Sequence, residues 1–194
     1  KRNGIPYTVY GGTKFFDRTE VKDMLAYLCV VHNPADDLRL KRIINTPARG
    51  IGARTVELAE SVAEQEGKPI YEVILHAAEY PQLVKQAAKL GKFTEIMESL
   101  REKAGTMELT DFYDEVVAAS GYITALEAKN TVENRSRIEN VQELKSSIQG
   151  YLENAEEPSL AGFLDEVSLY TDLDNRNADE PCVTMMTIHS SKGL

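Results

Sequence analysis

The stretch of this sequence with the clearest chemical potential is a glycine-rich turn, Thr46–Arg54, which reads TPARGIGAR. Gly50-Ile51-Gly52 lies between two segments with helical apolar spacing, so we predict a helix, a tight glycine hairpin and a second helix. Glycines let a backbone approach a ligand closely, and the second helix would direct unpaired N–H groups at a phosphate. With Arg49 and Arg54 beside it, the turn is typical of a contact with a nucleic-acid backbone. A plain connection between two helices is the alternative reading.

A second group of polar residues follows the apolar run Cys182–Ile188 (CVTMMTI). We predict that this run is a buried strand, most easily in a parallel sheet. Loops at the carboxyl ends of such strands often carry groups that bind ligands, so this loop could contact phosphates, although a simple strand-to-helix turn would look the same. The residues concerned are Thr187, His189, Ser190, Lys192 and Gly193.

No residues in this sequence form a recognisable catalytic or metal centre. The phosphate-loop pattern GxxxxGK[ST] is absent, and no His or Cys has partners at metal-ligand spacing. Thr171–Pro181 is superficially similar to a calcium loop, but Arg176 occupies a ligand position and no glycine follows it, so we predict a polar linker there. We therefore expect no catalytic residue, metal or cofactor within this chain.

The elements that position these groups are predicted to be mainly helical. A short strand, Ile5–Tyr10, opens the pattern, and long stretches with helical periodicity fill the middle. An α/β sheet domain with a helical domain inserted between two of its strands is the simplest organisation. The predicted helices are Thr19–Val31, Asp36–Asn45, Ala53–Glu66, Pro69–Ala78, Gln82–Lys103, Thr110–Ala119, Tyr122–Lys129, Thr131–Ala155 and one capped by Ser159.

The charge balance restricts how this chain could bind nucleic acid. Its 194 residues carry a net charge of −9 at pH 7, which argues against a general nucleic-acid-binding protein. Charge acts locally, however, because the Debye length is only about 8 Å at physiological salt. Between Asp36 and Val56, five basic side chains face two acidic ones, so we predict weak, salt-sensitive binding at the turn. No apolar run approaches the roughly 20 residues of a membrane span, and no signal peptide opens the chain, so we expect a cytoplasmic protein without a membrane partner.

Three blocks of the sequence resemble the UvrD/PcrA/Rep-type superfamily 1 DNA helicases, in that family's order. They are Ile5–Asp23 (IPYTVYGGTKFFDRTEVKD), Asn33–Gly52 (NPADDLRLKRIINTPARGIG) and Met185–Leu194 (MMTIHSSKGL), the last with the pattern Thr-x-His-x-x-Lys-Gly-Leu. The resemblance implies a mainly α fold: a helical subdomain with a helix-hairpin-helix-like turn, flanked by two strands of an α/β RecA-like domain. By residue number, it implies that 1–35 begin the second RecA-like domain (2A), 36–180 form the inserted helical subdomain (2B), and 181–194 hold the return strand and the start of helicase motif V.

The same resemblance implies a function. The chain would be part of an ATP-dependent 3′-to-5′ DNA helicase of DNA repair and replication, located in the bacterial cytoplasm with the nucleoid. ATP and Mg²⁺ would be bound by residues outside this chain, so we expect the isolated chain to be inactive. Further partners would be protein regulators of the helicase.

The resemblance also assigns roles to residues. Thr187, His189 and Ser190 would lie near single-stranded DNA, and Lys192 and Gly193 would couple that strand to the nucleotide cleft. A further single-strand contact is implied near Gly12, Lys14 and Phe15. The predicted contacts with duplex DNA are Thr46, Arg49, Gly50, Ile51, Gly52 and Arg54.

Other classes of function remain open from the sequence. A free-standing helix-hairpin-helix module would explain the turn but not the C-terminal HSSKGL. A helical scaffold for protein binding would explain the acidity but leave the basic turn without a role, and a helicase-nuclease is an alternative within the helicase class. If the helicase reading holds, two connections, His32–Ala35 and Thr171–Pro181, join the helical body to its host. We predict that the body rotates about them and so moves the hairpin onto or off the duplex to regulate unwinding.

Overall fold

The computed structural model describes residues 7–10, 15–176 and 183–186, and this part of the chain is mainly helical. Three short 3₁₀ turns, Phe15–Asp17, Ala77–Glu79 and Val84–Gln86, accompany the α-helices. The helices are α1 (Thr19–His32), α2 (Asp37–Ile43), α3 (Ala53–Glu66), α4 (Ile70–Leu75), α5 (Ala87–Ala104), α6 (Leu109–Ser120), α7 (Tyr122–Glu127), α8 (Val132–Asn154) and α9 (Leu160–Arg176).

Two four-residue strands, β1 (Tyr7–Tyr10) and β2 (Val183–Met186), pair in parallel. Tyr7 lies opposite Val183, and Tyr10 lies opposite Met186. Parallel strands need a long crossover connection, and here the helical residues supply it. That this pair belongs to a larger RecA-like sheet stays a prediction.

Helix α1 lies at the centre of the helical body. It packs against α2, α5, α6, α8 and α9, and its apolar side chains are buried around most of its circumference. It ends where the sequence predicts, because Asn33 adopts an extended conformation and Pro34 cannot continue a helix. These contacts make α1 part of the same packed unit as the helices that follow it. The predicted domain boundary at residue 35 stays a prediction.

Burying α1 requires partners for the two carboxylates on it. Asp23 accepts hydrogen bonds from Arg42 Nε at 2.7 Å and from the Tyr122 hydroxyl at 2.6 Å. Glu20 accepts one from the side-chain amide of Asn140 at 2.5 Å. Burial, followed by the hydrogen bond to Asp23, raises the pKa of Tyr122 above its ordinary value. These contacts tie α1 to α2, α7 and α8 with polar as well as apolar groups.

Most predicted helix ends are confirmed, with three corrections at N-termini. The largest concerns the helix predicted from Gln82, because α5 begins at Ala87 and Val84–Gln86 form a 3₁₀ turn. The side chains of Asp36 and Thr131 accept backbone N–H bonds as N-caps, and Gly67 and Gly121 end α3 and α6 in the left-handed conformation. Threonine is a common N-cap, so the sequence predicts Thr110 and Thr19 as the N-caps of α6 and α1. Both predictions are wrong, because Glu108 and Arg18 hold those positions and the two threonines lie inside the helices.

The predicted polar linker Thr171–Pro181 is wrong over its first part. Residues 171–176 continue α9, which ends at Arg176, because the apolar stripe begun by Leu160 outweighs the charged residues in the last turns. The rest of that linker lies outside the described residues. Among the helices of the described part, none is long and apolar enough to cross a membrane.

Two leucines of α2 give a matched test of this packing. Leu40 is 0% exposed in the core, whereas Leu38 is 77% exposed on the same helix. We expect Leu40→Ala to lower the free energy of unfolding by about 2–5 kcal/mol, through lost burial and the cavity left behind. Leu38→Ala should change it by no more than about 0.5 kcal/mol. Urea unfolding followed by circular dichroism measures both, and equal losses would contradict the placement of α2.

Candidate nucleic-acid interface

The glycine-rich turn is part of a longer loop than the sequence predicts. Helix α2 ends at Ile43 and α3 begins at Ala53, so the connection runs from Ile44 to Gly52 rather than forming a tight Gly-Ile-Gly hairpin. The prediction of helices on both sides is confirmed, but the extent of the hairpin is wrong. Ile44 and Asn45, which the sequence places in the helix Asp36–Asn45, lie beyond its end, and the side chain of Asn45 instead binds the loop backbone.

The two glycines differ in whether their backbone conformation requires a glycine. Gly50 has φ +71°, the left-handed region in which only glycine is unstrained, and a Cβ there would lie 3.3 Å from Lys89 Nζ. Gly52 has φ −77°, serves as the N-cap of α3, and would have no atom within 4 Å of an added Cβ. Only Gly50 therefore needs to be glycine for conformational reasons.

The apolar residue between the glycines anchors the loop to the core. Ile51 is 1% exposed, so its side chain is not available to a ligand. The side-chain oxygen of Asn45 accepts hydrogen bonds from the N–H groups of Arg49 at 2.7 Å and Ile51 at 3.1 Å. The carbonyl of Thr46 accepts one from the Tyr27 hydroxyl at 2.6 Å. The N–H of Thr46 donates to the carbonyl of Ile43 at 2.9 Å, so neither residue offers a free N–H to DNA, and the half-buried Thr46 side chain is the one donor left at these two positions.

Arg49 points into the protein. Its Nη1 donates to the carbonyls of Ile43 at 3.2 Å and Pro47 at 3.1 Å. Its Nη2 donates to the Tyr27 hydroxyl at 2.6 Å and to the carbonyl of Ser120 at 2.9 Å. The guanidinium carbon lies 5.8 Å from the ring centre of Tyr27 and 5.5 Å from that of Phe93. Burial, partly offset by Arg49, raises the pKa of Tyr27 to about 12, so its hydroxyl stays protonated at neutral pH.

The N-terminus of α3 is open towards solvent. Gly52 has no side chain with which to cap the helix, and the first turn carries no acidic residue. Within the described part of the chain, no group accepts a hydrogen bond from the N–H of Gly50, Gly52, Ala53 or Arg54. Such N–H groups, together with the positive end of the helix dipole, favour an anion.

The basic residues counted near the turn are mostly neutralised. Arg39 pairs with Asp36 at 2.5 Å, Lys41 with Glu60 at 2.7 Å and Arg42 with Asp23 at 2.7 Å. The Glu60 carboxylate raises the pKa of Lys41, as expected for a paired ammonium. Arg54 differs: its side chain is 80% exposed and its only contact with a carboxylate, from Glu57, is 3.4 Å long. Of the five cations in this stretch, Arg54 alone is presented to a ligand.

Three further cations reach this surface from a distant part of the sequence. Lys89 Nζ donates to the carbonyl of Gly50 at 3.1 Å, which brings the start of α5 to the loop. Lys85 and Lys92 lie one turn to either side of it, and all three are exposed. None of the three forms an ion pair with a described residue. The sequence shows that these lysines lack nearby carboxylates, because no acidic residue occurs from Pro81 to Thr94. It does not show that this stretch packs beside the glycine-rich turn, which is far away in the chain.

The other predicted site residues lie outside the described residues. These are Gly12, Lys14, Thr187, His189, Ser190, Lys192 and Gly193, so their predicted roles stay predictions. Phe15, which is described, packs edge-on against Phe16. Within the described residues, no group of three or more His, Cys, Asp or Glu side chains could hold a metal ion.

Comparison with known proteins provides an independent line of evidence. The sequence profile of the family described as UvrD-like helicase C-terminal domain matches residues 1–194. The ATP-dependent DNA helicase PcrA of Staphylococcus aureus is 40% identical over 195 aligned residues, which cover 100% of this chain and 27% of that protein. The PcrA of Staphylococcus epidermidis is 39% identical with the same coverage. The chain thus spans about a quarter of the length of these relatives.

The difference between the two glycines leads to a prediction. We expect Gly50→Ala to destabilise the chain by about 1 kcal/mol, because alanine is strained in the left-handed conformation, while Lys89 can move aside. Gly52→Ala should change the free energy of unfolding by no more than about 0.5 kcal/mol, since its φ suits any residue. Chemical denaturation of both variants is the measurement. A larger loss for Gly52→Ala than for Gly50→Ala would show that the loop geometry described here is wrong.

Proposed function

Since the chain belongs to the UvrD-like helicase C-terminal domain family, we propose that it is part of an ATP-dependent DNA helicase and that its helical body holds duplex DNA. Its relatives of about four times the length are named ATP-dependent DNA helicases, so the activity is proposed for a longer protein that contains these residues. The 194 residues contain no phosphate loop, and we propose that they do not hydrolyse ATP alone. In the longer protein, ATP and Mg²⁺ are bound elsewhere and drive 3′-to-5′ unwinding in DNA repair and replication, in the bacterial cytoplasm with the nucleoid.

The observation that carries the duplex contact is the open N-terminus of α3 beside cations that lack carboxylate partners. The free N–H groups of Gly50, Gly52, Ala53 and Arg54 suit a phosphate, and the side chains of Arg54 and Lys89 add positive charge beside them. Although the chain has a net charge of −9, Lys85, Lys89 and Lys92 form no ion pair with a described residue and lie together in α5 and the turn before it. Backbone N–H groups and surface cations read no bases, so the binding is independent of sequence.

The single-strand contact is proposed from the sequence motif alone. Thr187, His189 and Ser190 follow β2 in the chain, and Lys192 and Gly193 come next. Loops that follow strands of a parallel sheet are where such proteins place ligand-handling groups, which supports the assignment. The longer enzyme would thus hold the duplex with the helical body and the single strand with its motor.

We propose that the helical body regulates unwinding by changing its orientation. Because α1 packs against five other helices, the moving unit includes α1, and its first connection lies ahead of α1 rather than at residues 32–35. Its second connection follows Arg176, where α9 ends. DNA or a regulatory protein can favour one orientation only by binding it more tightly than the other.

Salt dependence of DNA affinity tests the duplex contact. Each phosphate contact contributes a slope of about −0.9 to the logarithm of affinity against the logarithm of salt concentration for B-DNA. We expect Arg54→Ala and Lys92→Ala each to weaken binding of a fluorescent duplex and to reduce that slope by about one. Neither side chain contacts the core, so the fold should survive.

Lys129→Ala is the matched control, since Lys129 is an exposed lysine between α7 and α8 and forms no ion pair with a described residue. Its slope should equal that of the parent chain. If Arg54→Ala and Lys92→Ala both have the slope of the control, the surface around Gly50 does not hold phosphates.

The proposal that the helical body binds the duplex while the motor binds the single strand can be tested in a longer enzyme that contains these residues and a phosphate loop. There, the Arg54→Ala/Lys92→Ala double variant should alter the rate of duplex unwinding while ATP hydrolysis stimulated by single-stranded DNA stays unchanged. The reason is that the motor would contact the single strand through other residues. Parallel loss of both activities would contradict a regulatory role for the helical body, and ATP hydrolysis by the 194-residue chain alone would contradict the proposed inactivity.

A further inference from the structure

Both terminal nitrogens of the Arg49 guanidinium are bound within the protein. Each of its two terminal nitrogens makes two hydrogen bonds, to the carbonyls of Ile43, Pro47 and Ser120 and to the hydroxyl of Tyr27. Four N–H groups in a planar fork therefore meet four acceptors on different segments. No carboxylate takes part, so the charge is balanced by carbonyl dipoles and by the faces of two aromatic rings.

These acceptors come from three parts of the fold. Ile43 and Pro47 flank the start of the loop, Tyr27 is on the central helix α1, and Ser120 is the last residue of α6. The carbonyl of Ser120 belongs to the negative end of that helix, where a cation is favoured. One side chain thus joins the loop to α1 and α6 and lies against Phe93 of α5.

The residue next to this anchor is the exposed Gly50. The N–H of Arg49 is itself bound by Asn45, so both backbone and side chain of Arg49 are held immediately before the left-handed turn. The position of the N–H groups that follow, at Gly50 and Gly52, depends on that anchor. Among the described residues, no other hydrogen bond connects the loop to α6.

We propose that Arg49 is a positioning residue, which sets the geometry at which Gly50–Gly52 and the start of α3 meet a phosphate backbone, without touching DNA itself. This inference rests on the proposed DNA contact and names the residue that shapes it. It replaces the sequence-based expectation that Arg49 binds DNA directly. A lysine at this position keeps the charge but cannot reach four acceptors from one nitrogen, so charge and geometry can be separated by experiment.

The experiment compares Arg49→Lys with the parent chain at a temperature where both are folded, as judged by circular dichroism. We expect duplex affinity to fall about tenfold, the equivalent of one charge-assisted hydrogen-bonded group, while the salt slope stays at the parent value. Amide hydrogen exchange and ¹⁵N–¹H shifts should change at Gly50, Ile51 and Gly52 and stay constant in α8. A purely stabilising role would not produce this local pattern.

Arg101→Lys is the matched control, because Arg101 pairs with Glu98 on the surface of α5 and the change keeps its charge. It should leave affinity, slope and the loop amides unchanged. Tyr27→Phe, which removes one acceptor of Arg49, should reproduce part of the loss and be non-additive with Arg49→Lys.

Each outcome decides the inference. Parent-like affinity of Arg49→Lys, or a slope reduced by about one in Arg49→Met, would indicate a direct charge contact and overturn it. If the parent chain binds no duplex DNA at all, the proposed function fails, and the amide data still decide the positioning role. Unchanged exchange at Gly50–Gly52 in Arg49→Lys would then overturn it.

Discussion

The structure depends on how helix α1 satisfies the polar groups that it carries into the core. Asp23 is 4% exposed and accepts hydrogen bonds from Arg42 and Tyr122, which come from two other helices. The Asp23 carboxylate is nearly fully buried while the side chain of Arg42 is 36% exposed, so loss of either hydrogen-bond partner would leave a charge in the core with too few donors. The positions of α2 and α7 relative to α1 are therefore determined by hydrogen bonding as well as by shape.

One turn further along α1, Tyr27 also carries a buried polar group, and its hydrogen bonds connect α1 to the loop Ile44–Gly52. Its hydroxyl donates to Thr46 and accepts from Arg49, so a single buried oxygen connects the core helix to both sides of the loop. Residues four apart share a helix face, and Asp23 and Tyr27 thus receive the two arginines, Arg42 and Arg49, that enter from the same direction. The loop keeps its shape because it is fastened to the most deeply buried element of the chain.

The same pairing determines where positive charge remains on an acidic protein. Counting basic residues around the turn overestimates its charge, since paired carboxylates neutralise three of the five cations there and carbonyl groups enclose a fourth. Lys89 reaches the loop from 39 residues away. A local density of basic residues is thus a poor guide to the charge that a ligand meets, because each partner is chosen by tertiary packing.

The sequence by itself determined the helical character, most helix ends and the family, because apolar periodicity, capping residues and short motifs act over a few residues. For that reason Asp36 begins α2 where expected, and Gly67 and Gly121 end α3 and α6 where expected. Only the tertiary structure decided the length of the loop, the direction of the Arg49 side chain into the protein and the contact of Lys89 with the Gly50 carbonyl. Those depend on contacts between residues 22 to 71 positions apart, and a side chain that can bind either a phosphate or a carbonyl takes whichever acceptor the fold brings near.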